Sequence, residues 1–321
     1  PIGVAFGGLA LLSWVLYGIY RAAQRSAYEL ESLVFLLISI GAAVTAAYDP
    51  ASLYKLLITA VMGMVLFLAM SGVLRDLHLS IRARWPVAIA AGALLAFNVV
   101  LGERIFGAKN WIILGPLSFQ PSEIAKLTVI ICFSYWVARD PKSVRSVKTM
   151  VQPYGLLLAL YIGLLYLEPH TSAMVIICGI GVIILLAGGM RLWYFAPILG
   201  LGAGVVAAFY VAFKHVRDRF EVWLNPFSDM ANKGLQGSMS QIAIGSGGLL
   251  GRGLGNGLQK QLYLPEPHND VIFSTCCEEI GLIGSLLVIL LFAYLIYRGF
   301  RVARYAPDKF GSLLATGITA K

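Results

Sequence analysis

Val271-Ile272-Phe273-Ser274-Thr275-Cys276-Cys277-Glu278-Glu279-Ile280-Gly281-Leu282-Ile283-Gly284-Ser285-Leu286-Leu287-Val288-Ile289-Leu290-Leu291-Phe292-Ala293-Tyr294-Leu295-Ile296-Tyr297 decides the fold. From Ile280 to Tyr297 no side chain carries a charge, and a helix of that length approaches the span of a bilayer core of ~30 Å. Tyr263-Leu264-Pro265-Glu266-Pro267-His268-Asn269-Asp270 stand directly before it, and Glu278 and Glu279 lie within it. Ionisable groups at the mouth of a membrane helix are costly unless paired, solvated or protonated, so they are functional candidates by default.

The same apolar texture fills the chain on either side. The 321 residues are 59% hydrophobic and only 13% charged, with mean hydropathy +0.79, which excludes a soluble globular domain. Apolar blocks fall at about residues 2–20, 31–48, 52–74, 85–101, 121–138, 152–168, 171–190, 192–213 and 272–297. They predict an all-α, polytopic helical membrane protein with about nine transmembrane helices. A tenth block begins near Phe310 and is cut at Lys321, which predicts further C-terminal helices. The first block has no basic residue before it and runs into Arg21 and Arg25, so it reads as a true helix and not as a cleavable signal.

Lys and Arg set the orientation. With Arg21 and Arg25 in the cytoplasm, alternation also places Arg75, Arg82 and Arg84, then Arg139, Lys142, Arg145 and Lys148, then Arg191, and finally Arg298, Arg301, Arg304 and Lys309 on that side. The outer side receives Tyr48-Asp49-Pro50, residues 102–120, the turn Glu168-Pro169-His170 and a long loop from Lys214 to about Asp270. That loop is basic, with Lys214, Arg217, Arg219, Lys233, Arg252 and Lys260. Long loops translocate regardless of charge, and these cations suit either anionic lipid headgroups or a phosphate-bearing substrate. Nucleic acid is excluded as a partner because much of the basic charge, net +9 overall, is a cytoplasmic topology signal. Cys132, Cys178, Cys276 and Cys277 all fall in predicted helices, so no extracytoplasmic disulfide framework exists. Adjacent Cys276-Cys277 lack the spacing of a zinc pair and read as packing residues.

Three further constellations lie on the outer side. In Gln120-Pro121-Ser122-Glu123-Ile124-Ala125-Lys126, Gln120 or Ser122 caps a helix with Pro121 in its first turn. Glu123 and Lys126 share a helix face, as a structural ion pair or as substrate contacts. Ala243-Ile244-Gly245-Ser246-Gly247-Gly248-Leu249-Leu250-Gly251-Arg252-Gly253-Leu254-Gly255-Asn256-Gly257 completes no dinucleotide fingerprint and follows no strand. It reads as a segment of sharp turns and close backbone approach, tolerated at membrane depth only where protein buries it or a cavity wets it. Glu168-Pro169-His170-Thr171-Ser172 is a turn with a histidine that reads first as a satisfied turn residue.

In order and spacing, these motifs resemble the SEDS family (shape, elongation, division and sporulation proteins of the RodA, FtsW and SpoVE type). The resemblance rests on Gln120-Pro121-Ser122-Glu123 with Lys126, Leu224-Asn225-Pro226-Phe227, and Gly234 with Gln236 and Ser240. It continues through Ala243 to Gly248, Gly251-x-Gly253-x-Gly255, Leu264-Pro265-Glu266-Pro267-His268-x-Asp270, Glu278-Glu279-x-Gly281 and Ala306-Pro307-Asp308. Two positions depart from the family pattern: Asn269 replaces a usual Thr, and Glu168-Pro169-His170 stands where Gln-Pro-Asp is common.

The resemblance implies a core of ten helices, here truncated in its ninth, plus an added N-terminal helix. The chain then divides into that helix (1–25), core helices one to seven (26–213), a large extracytoplasmic loop (214–270), and core helix eight with the start of the ninth (271–321). It also implies a peptidoglycan glycosyltransferase of the bacterial cytoplasmic membrane, polymerising lipid II on the outer face and releasing undecaprenyl pyrophosphate. Asp270 is then the general base, with Glu123, Lys126, Arg252, Lys260, Glu266 and His268 as substrate contacts and Lys109 and Arg219 behind them. A divalent cation, Mg²⁺ or Mn²⁺, on Asp270 or Glu266 is implied by resemblance alone, as is a class B penicillin-binding protein as partner. Glu278 and Glu279 are assigned to structure or to a polar cavity wall. The alternatives are a flippase for lipid-linked precursor and a non-catalytic scaffold.

Overall fold

A computed structural model describes residues 2–25, 27–75, 77–101, 103–105, 108–114, 117–146, 148, 151–168, 170–212, 214–230, 234–258 and 271–321. The protein is largely helical, and nine of its described helices fall on the nine apolar blocks. The first helices are α1 (Ile2–Ala22), α2 (Glu29–Ala46), α3 (Ser52–Arg75), α4 (Leu77–Leu101), α5 (Pro121–Arg139), α6 (Leu156–Leu167) and α7 (Thr171–Ala187). The chain continues as α8 (Phe195–Ala212), α9 (Lys214–Leu224), α10 (Leu235–Ser246), α11 (Ile272–Arg304) and α12 (Lys309–Ala320). Among the described residues, Ile2–Ala22, Glu29–Ala46, Ser52–Gly72 and Ile272–Arg304 are long and apolar enough to cross a membrane. Shorter apolar stretches occupy Trp85–Val100, Val151–Leu167 and Ser172–Ala187.

Three features differ from the expectation. Helix α4 starts well before residue 85, taking in a polar stretch read as cytoplasmic connection. The outer segment after it forms a small antiparallel sheet of β1 (Glu103–Ile105), β2 (Ala108–Leu114) and β3 (Leu117–Phe119). Strand β2 pairs with β3 through Ile112↔Phe119, Ile113↔Ser118 and Leu114↔Leu117, as the β-branched and aromatic run Trp111-Ile112-Ile113 favours. The long outer loop is itself largely helical where described, through α9, a 3₁₀ turn at Pro226–Asp229 and α10.

The chain forms two compact units. One comprises residues 70–200 and 296–321. Its core surrounds α5, whose Ala125, Val129, Ile130, Phe133 and Val137 are buried against α4, α7 and α12. Close approach is built into the small residues: a Cβ on Gly317 of α12 would lie 2.8 Å from both Ile130 and Ile184. Tyr154 stands edge-on to Phe133 and Trp136, and the Tyr161 hydroxyl donates to the Ala88 carbonyl at 3.1 Å.

The other unit comprises residues 1–69 and 201–295. There α1, α2 and α3 pack through Ala5, Leu9, Ala42 and Leu53. Tyr20 of α1 donates to Glu31 of α2 and lies under the Arg25 guanidinium, and Tyr28 donates to the Ser13 carbonyl. A second cluster joins Val44 of α2 to Cys276 and Val288 of α11.

Candidate active site

Helix α11 is broken at Gly281, where φ is +69° and ψ is −173°. In an unbroken helix the amides of Leu282 and Ile283 would donate to the carbonyls of Glu278 and Glu279. All four released groups are taken up by the glycine-rich segment instead. Leu282 N–H donates to Gly248 O (2.9 Å) and Ile283 N–H to Leu249 O (3.2 Å). Arg252 N–H donates to Glu278 O (3.0 Å) and Gly253 N–H to Glu279 O (3.0 Å). Residues 248–253 are thus spliced across the break and pair these four backbone groups, as apolar surroundings demand.

Glycine is required for this approach. A Cβ on Gly247 would lie 2.1 Å from Cys277 O, and one on Gly251 would lie 2.2 Å from Glu279 O. Gly251, Gly253 and Gly255 also sit at φ +80°, +93° and +86°, where other residues are strained.

The two carboxylates secure the splice. Glu278, 0% exposed, accepts from Leu258 N–H (2.8 Å) and Ser246 Oγ (3.4 Å) and faces Arg252 Nε at 4.0 Å. Glu279, 1% exposed, accepts from Gly255 N–H (3.1 Å). Arg252 Nε also donates to Ser246 O (3.3 Å), yet the side chain stays 38% exposed, so a cation is anchored at the splice and remains partly open. No sequence signal foretold the amide partners, which lie twenty or more residues away along a turning loop.

In the other unit, Lys126 Nζ donates to Glu123 Oε1 at 2.6 Å, and Lys321 Nζ lies 2.7 Å from Glu123 Oε2. Lys126 is buried and Glu123 partly open. Lys126 and Ser122 are four residues apart on one face of α5, both buried. The predicted pair therefore forms, with a second cation on the carboxylate that spacing alone did not indicate.

At the turn before α7 the side chains divide. Glu168 turns inward and accepts from Asn98 Nδ2 at 3.1 Å, both buried. His170 Nε2 meets Gln120 Nε2 at 3.3 Å, so the amide donates and the neutral ring carries its proton on Nδ1. Burial holds the His170 pKa below its ordinary 6.5, the Lys126 charge lowers it further, and the Glu123 carboxylate opposes both. The fold therefore favours neutral His170, and the unfolded chain takes up the proton first as pH falls. This contribution is complete above pH 6.5 and is eroded below it. Thermal unfolding in detergent is expected to show a falling midpoint on acidification below about pH 6.5, with a shallower slope in His170→Asn.

Of the sequence-predicted site residues, Glu123 and Lys126 come together in one unit, and Arg252 stands in the other on the splice. Lys260, Glu266, His268 and Asp270 lie outside the described residues. Among the described residues no group of three His, Cys, Asp or Glu side chains is arranged to hold a metal ion.

The model of the family described as "Cell cycle protein", comprising FtsW, RodA and SpoVE, matches residues 9–321. The chain is 38% identical over 239 residues to the probable peptidoglycan glycosyltransferase FtsW of Nitrosococcus halophilus, covering 73% of this chain and 62% of that protein. It is 36% identical over 244 residues to the protein so named in Trichlorobacter lovleyi, covering 73% and 63%. The chain thus spans somewhat over three fifths of the length of these curated relatives.

Among solved structures it resembles a chain from work described as the structural coordination of polymerization and crosslinking by a peptidoglycan synthase complex. The TM-score is 0.75 at 25% identity, over 92% of this chain and 83% of that one. The rod shape determining protein RodA of Thermus thermophilus shares the fold, with TM-score 0.61 at 22% identity over 92% and 80%.

Proposed function

The chain belongs to the FtsW, RodA and SpoVE family of cell cycle proteins, and on that premise we propose that it is a peptidoglycan glycosyltransferase. In this reading it polymerises lipid II on the outer face of the bacterial cytoplasmic membrane. The observation that carries the reading is its 36–38% identity, over about three quarters of its length, to proteins named as probable peptidoglycan glycosyltransferases.

In the reaction a sugar hydroxyl of one lipid-linked unit attacks the anomeric carbon of another. The new glycosidic C–O bond forms as the anomeric C–O bond to pyrophosphate breaks, with inversion. The hydroxyl proton passes to the Asp270 carboxylate, and undecaprenyl pyrophosphate leaves. Its developing charge calls for fixed cations: Arg252, displayed from the splice, together with Lys126 and Lys260. Glu266 and His268 would contact the substrate beside the base. A divalent ion, when bound, would supply further charge stabilisation to the leaving group and would draw on Asp270 and Glu266. Glu278 and Glu279 accept from the Leu258 and Gly255 backbone amides and serve the structure of the splice.

We assign the partner as a class B penicillin-binding protein, since nascent glycan needs a crosslinking enzyme nearby; the likeness to a chain of a peptidoglycan synthase complex supports this. The small residues Gly200, Gly202 and Gly204 of α8 suit close helix contact, with a partner's helix or within the bundle.

Lys126→Met tests the substrate role apart from the structural one. Glu123 keeps Lys321 at 2.7 Å, so losing one cation does not orphan the carboxylate, and the folded protein should persist. Lipid II binding, measured by titration in nanodiscs, should weaken about tenfold or more, as expected for a lost charge-assisted contact. Unchanged affinity, or loss of the folded protein alone, makes the pair structural. Polymerisation by the protein extended to its relatives' full length, with its transpeptidase and with divalent cations present or chelated, tests the activity. Lipid II crossing proteoliposomes without polymer would point to a flippase instead.

A further inference from the structure

Helix α9 is unlike its neighbours in the chain. The preceding α8 carries no charged residue along Phe195–Ala212, whereas α9 reads Lys-His-Val-Arg-Asp-Arg-Phe-Glu-Val-Trp-Leu. Val216, Phe220, Trp223 and Leu224 recur at the i, i+4, i+7, i+8 spacing of one helix face, and Lys214, Arg217, Asp218 and Glu221 recur at i, i+3, i+4, i+7 on another. The Phe220 ring stands edge-on to Tyr210 with centroids 5.5 Å apart. Ten residues along one straight helix would separate them by about 15 Å, so α9 leaves the axis of α8 and folds back toward its end.

Phe220 is thereby partly occupied, and the far end of the stripe is bare: Trp223 is 76% and Leu224 75% exposed. Phe227 and Met230, just beyond, are exposed as well. A tryptophan and a leucine left open on a charged helix, immediately after an uncharged one, have the make-up of an element lying in the bilayer surface. Trp favours that depth because its ring is apolar and its N–H polar. The charge agrees. Residues 214–260 hold six basic side chains (Lys214, Arg217, Arg219, Lys233, Arg252, Lys260) against three acidic ones (Asp218, Glu221, Asp229), a surplus of three. Lys214 and Arg217 are both exposed.

We propose that α9 is an interfacial anchor: its Val216–Phe220–Trp223–Leu224 face sits in the headgroup layer of the outer leaflet, and Lys214 and Arg217 bind anionic lipid headgroups. It holds the outer segment that follows, including the glycine splice, at a fixed height above the bilayer. The inference stands on α9 itself and is independent of the proposed reaction.

The test uses the whole chain in nanodiscs of phosphatidylcholine alone or mixed with phosphatidylglycerol. Trp223 emission is obtained as wild type minus Trp223→Phe, and the lipids are brominated either near the glycerol backbone or near the chain terminus. Expected is strong loss of the Trp223-dependent emission with shallow bromine, little loss with deep bromine, and a blue shift when phosphatidylglycerol is added. The double variant Lys214→Gln/Arg217→Gln should lose that phosphatidylglycerol dependence while unfolding in detergent at the wild-type temperature. No quenching at either depth overturns the proposal, as does quenching indifferent to both lipid charge and the two cations. Shielding of Trp223 that follows protein concentration, and not bromine, also overturns it, in favour of a second copy on this face.

Discussion

Asp270→Asn is expected to abolish glycan polymerisation while the protein stays folded and still binds lipid II. The substitution exchanges one oxygen for an amide nitrogen of nearly the same size, so it alters what the side chain does to a proton far more than the space it fills. An acceptor hydroxyl is a weak nucleophile at neutral pH, and a positioned base typically contributes ~10²- to 10⁴-fold; an asparagine cannot take the proton. Binding should survive because the cations proposed for the pyrophosphate, Lys126, Arg252 and Lys260, are untouched. Folding should survive because the splice that begins with Glu278 is anchored by other groups. The readouts are polymer length and rate from the purified variant with its partner, and titration with lipid II. Normal polymer from Asp270→Asn would remove Asp270 from the reaction and leave Glu266 or His268 to account for the base.

Gly281→Ala is expected to cost the fold. With φ +69° and ψ −173°, Gly281 occupies a region of backbone space that is essentially closed to other residues. A Cβ there would lie 2.2 Å from Gly251 N and 2.6 Å from Leu249 O, so relief requires the glycine segment to withdraw. Withdrawal releases the four backbone hydrogen bonds across the break and exposes two buried carboxylates to apolar surroundings. Backbone strain combined with stranded buried polar groups belongs to the few mechanisms that exceed about 4 kcal/mol. Thermal unfolding in detergent and the monodisperse fraction on size exclusion check it. Gly63→Ala is the control, since a Cβ there meets nothing within 4 Å and alanine is the better helix former. Equal stability of the two variants would show that the splice does not hold the helix.

Much of the architecture was legible because lipid makes hydropathy decisive. Uncharged runs such as 280–297 can only be helices, and the structure returns them within a few residues. The start of α4 was missed because a helix that leaves the bilayer core loses its apolar signature without losing its hydrogen bonds. The sheet at 103–119 was missed because three short strands carry few residues each and depend on pairing across the segment. Helix α9 hid inside a loop for the opposite reason, its charges masking an apolar stripe that appears only at helical spacing. In the site, the Glu123–Lys126 pair was readable from i, i+3 spacing alone. Glu278 and Glu279 read as structural or as a polar cavity wall, and their partners were not legible, since an amide of Leu258 or Gly255 has no side-chain identity to read. His170 reads from sequence as a satisfied turn histidine, and its Nε2 is met by Gln120. The partner of Glu168 was not legible, because Asn98 comes from another helix.

The break at Gly281 also bears on how the chain enters the membrane. Between the break and Arg298, residues 282–297 make about 24 Å of uncharged helix, most of a core of ~30 Å, before the nine residues ahead of the break are counted. The translocation machinery can therefore seat this span while Glu278 and Glu279 are still in water. The segment that will cover them, 248–258, precedes this span in the chain and has by then already been synthesised. Insertion and burial of the two charges become separate events, the second driven by docking and not by the machinery. Gly281→Ala should accordingly reach the membrane with normal topology, as tagged loops would report, and fail only afterwards.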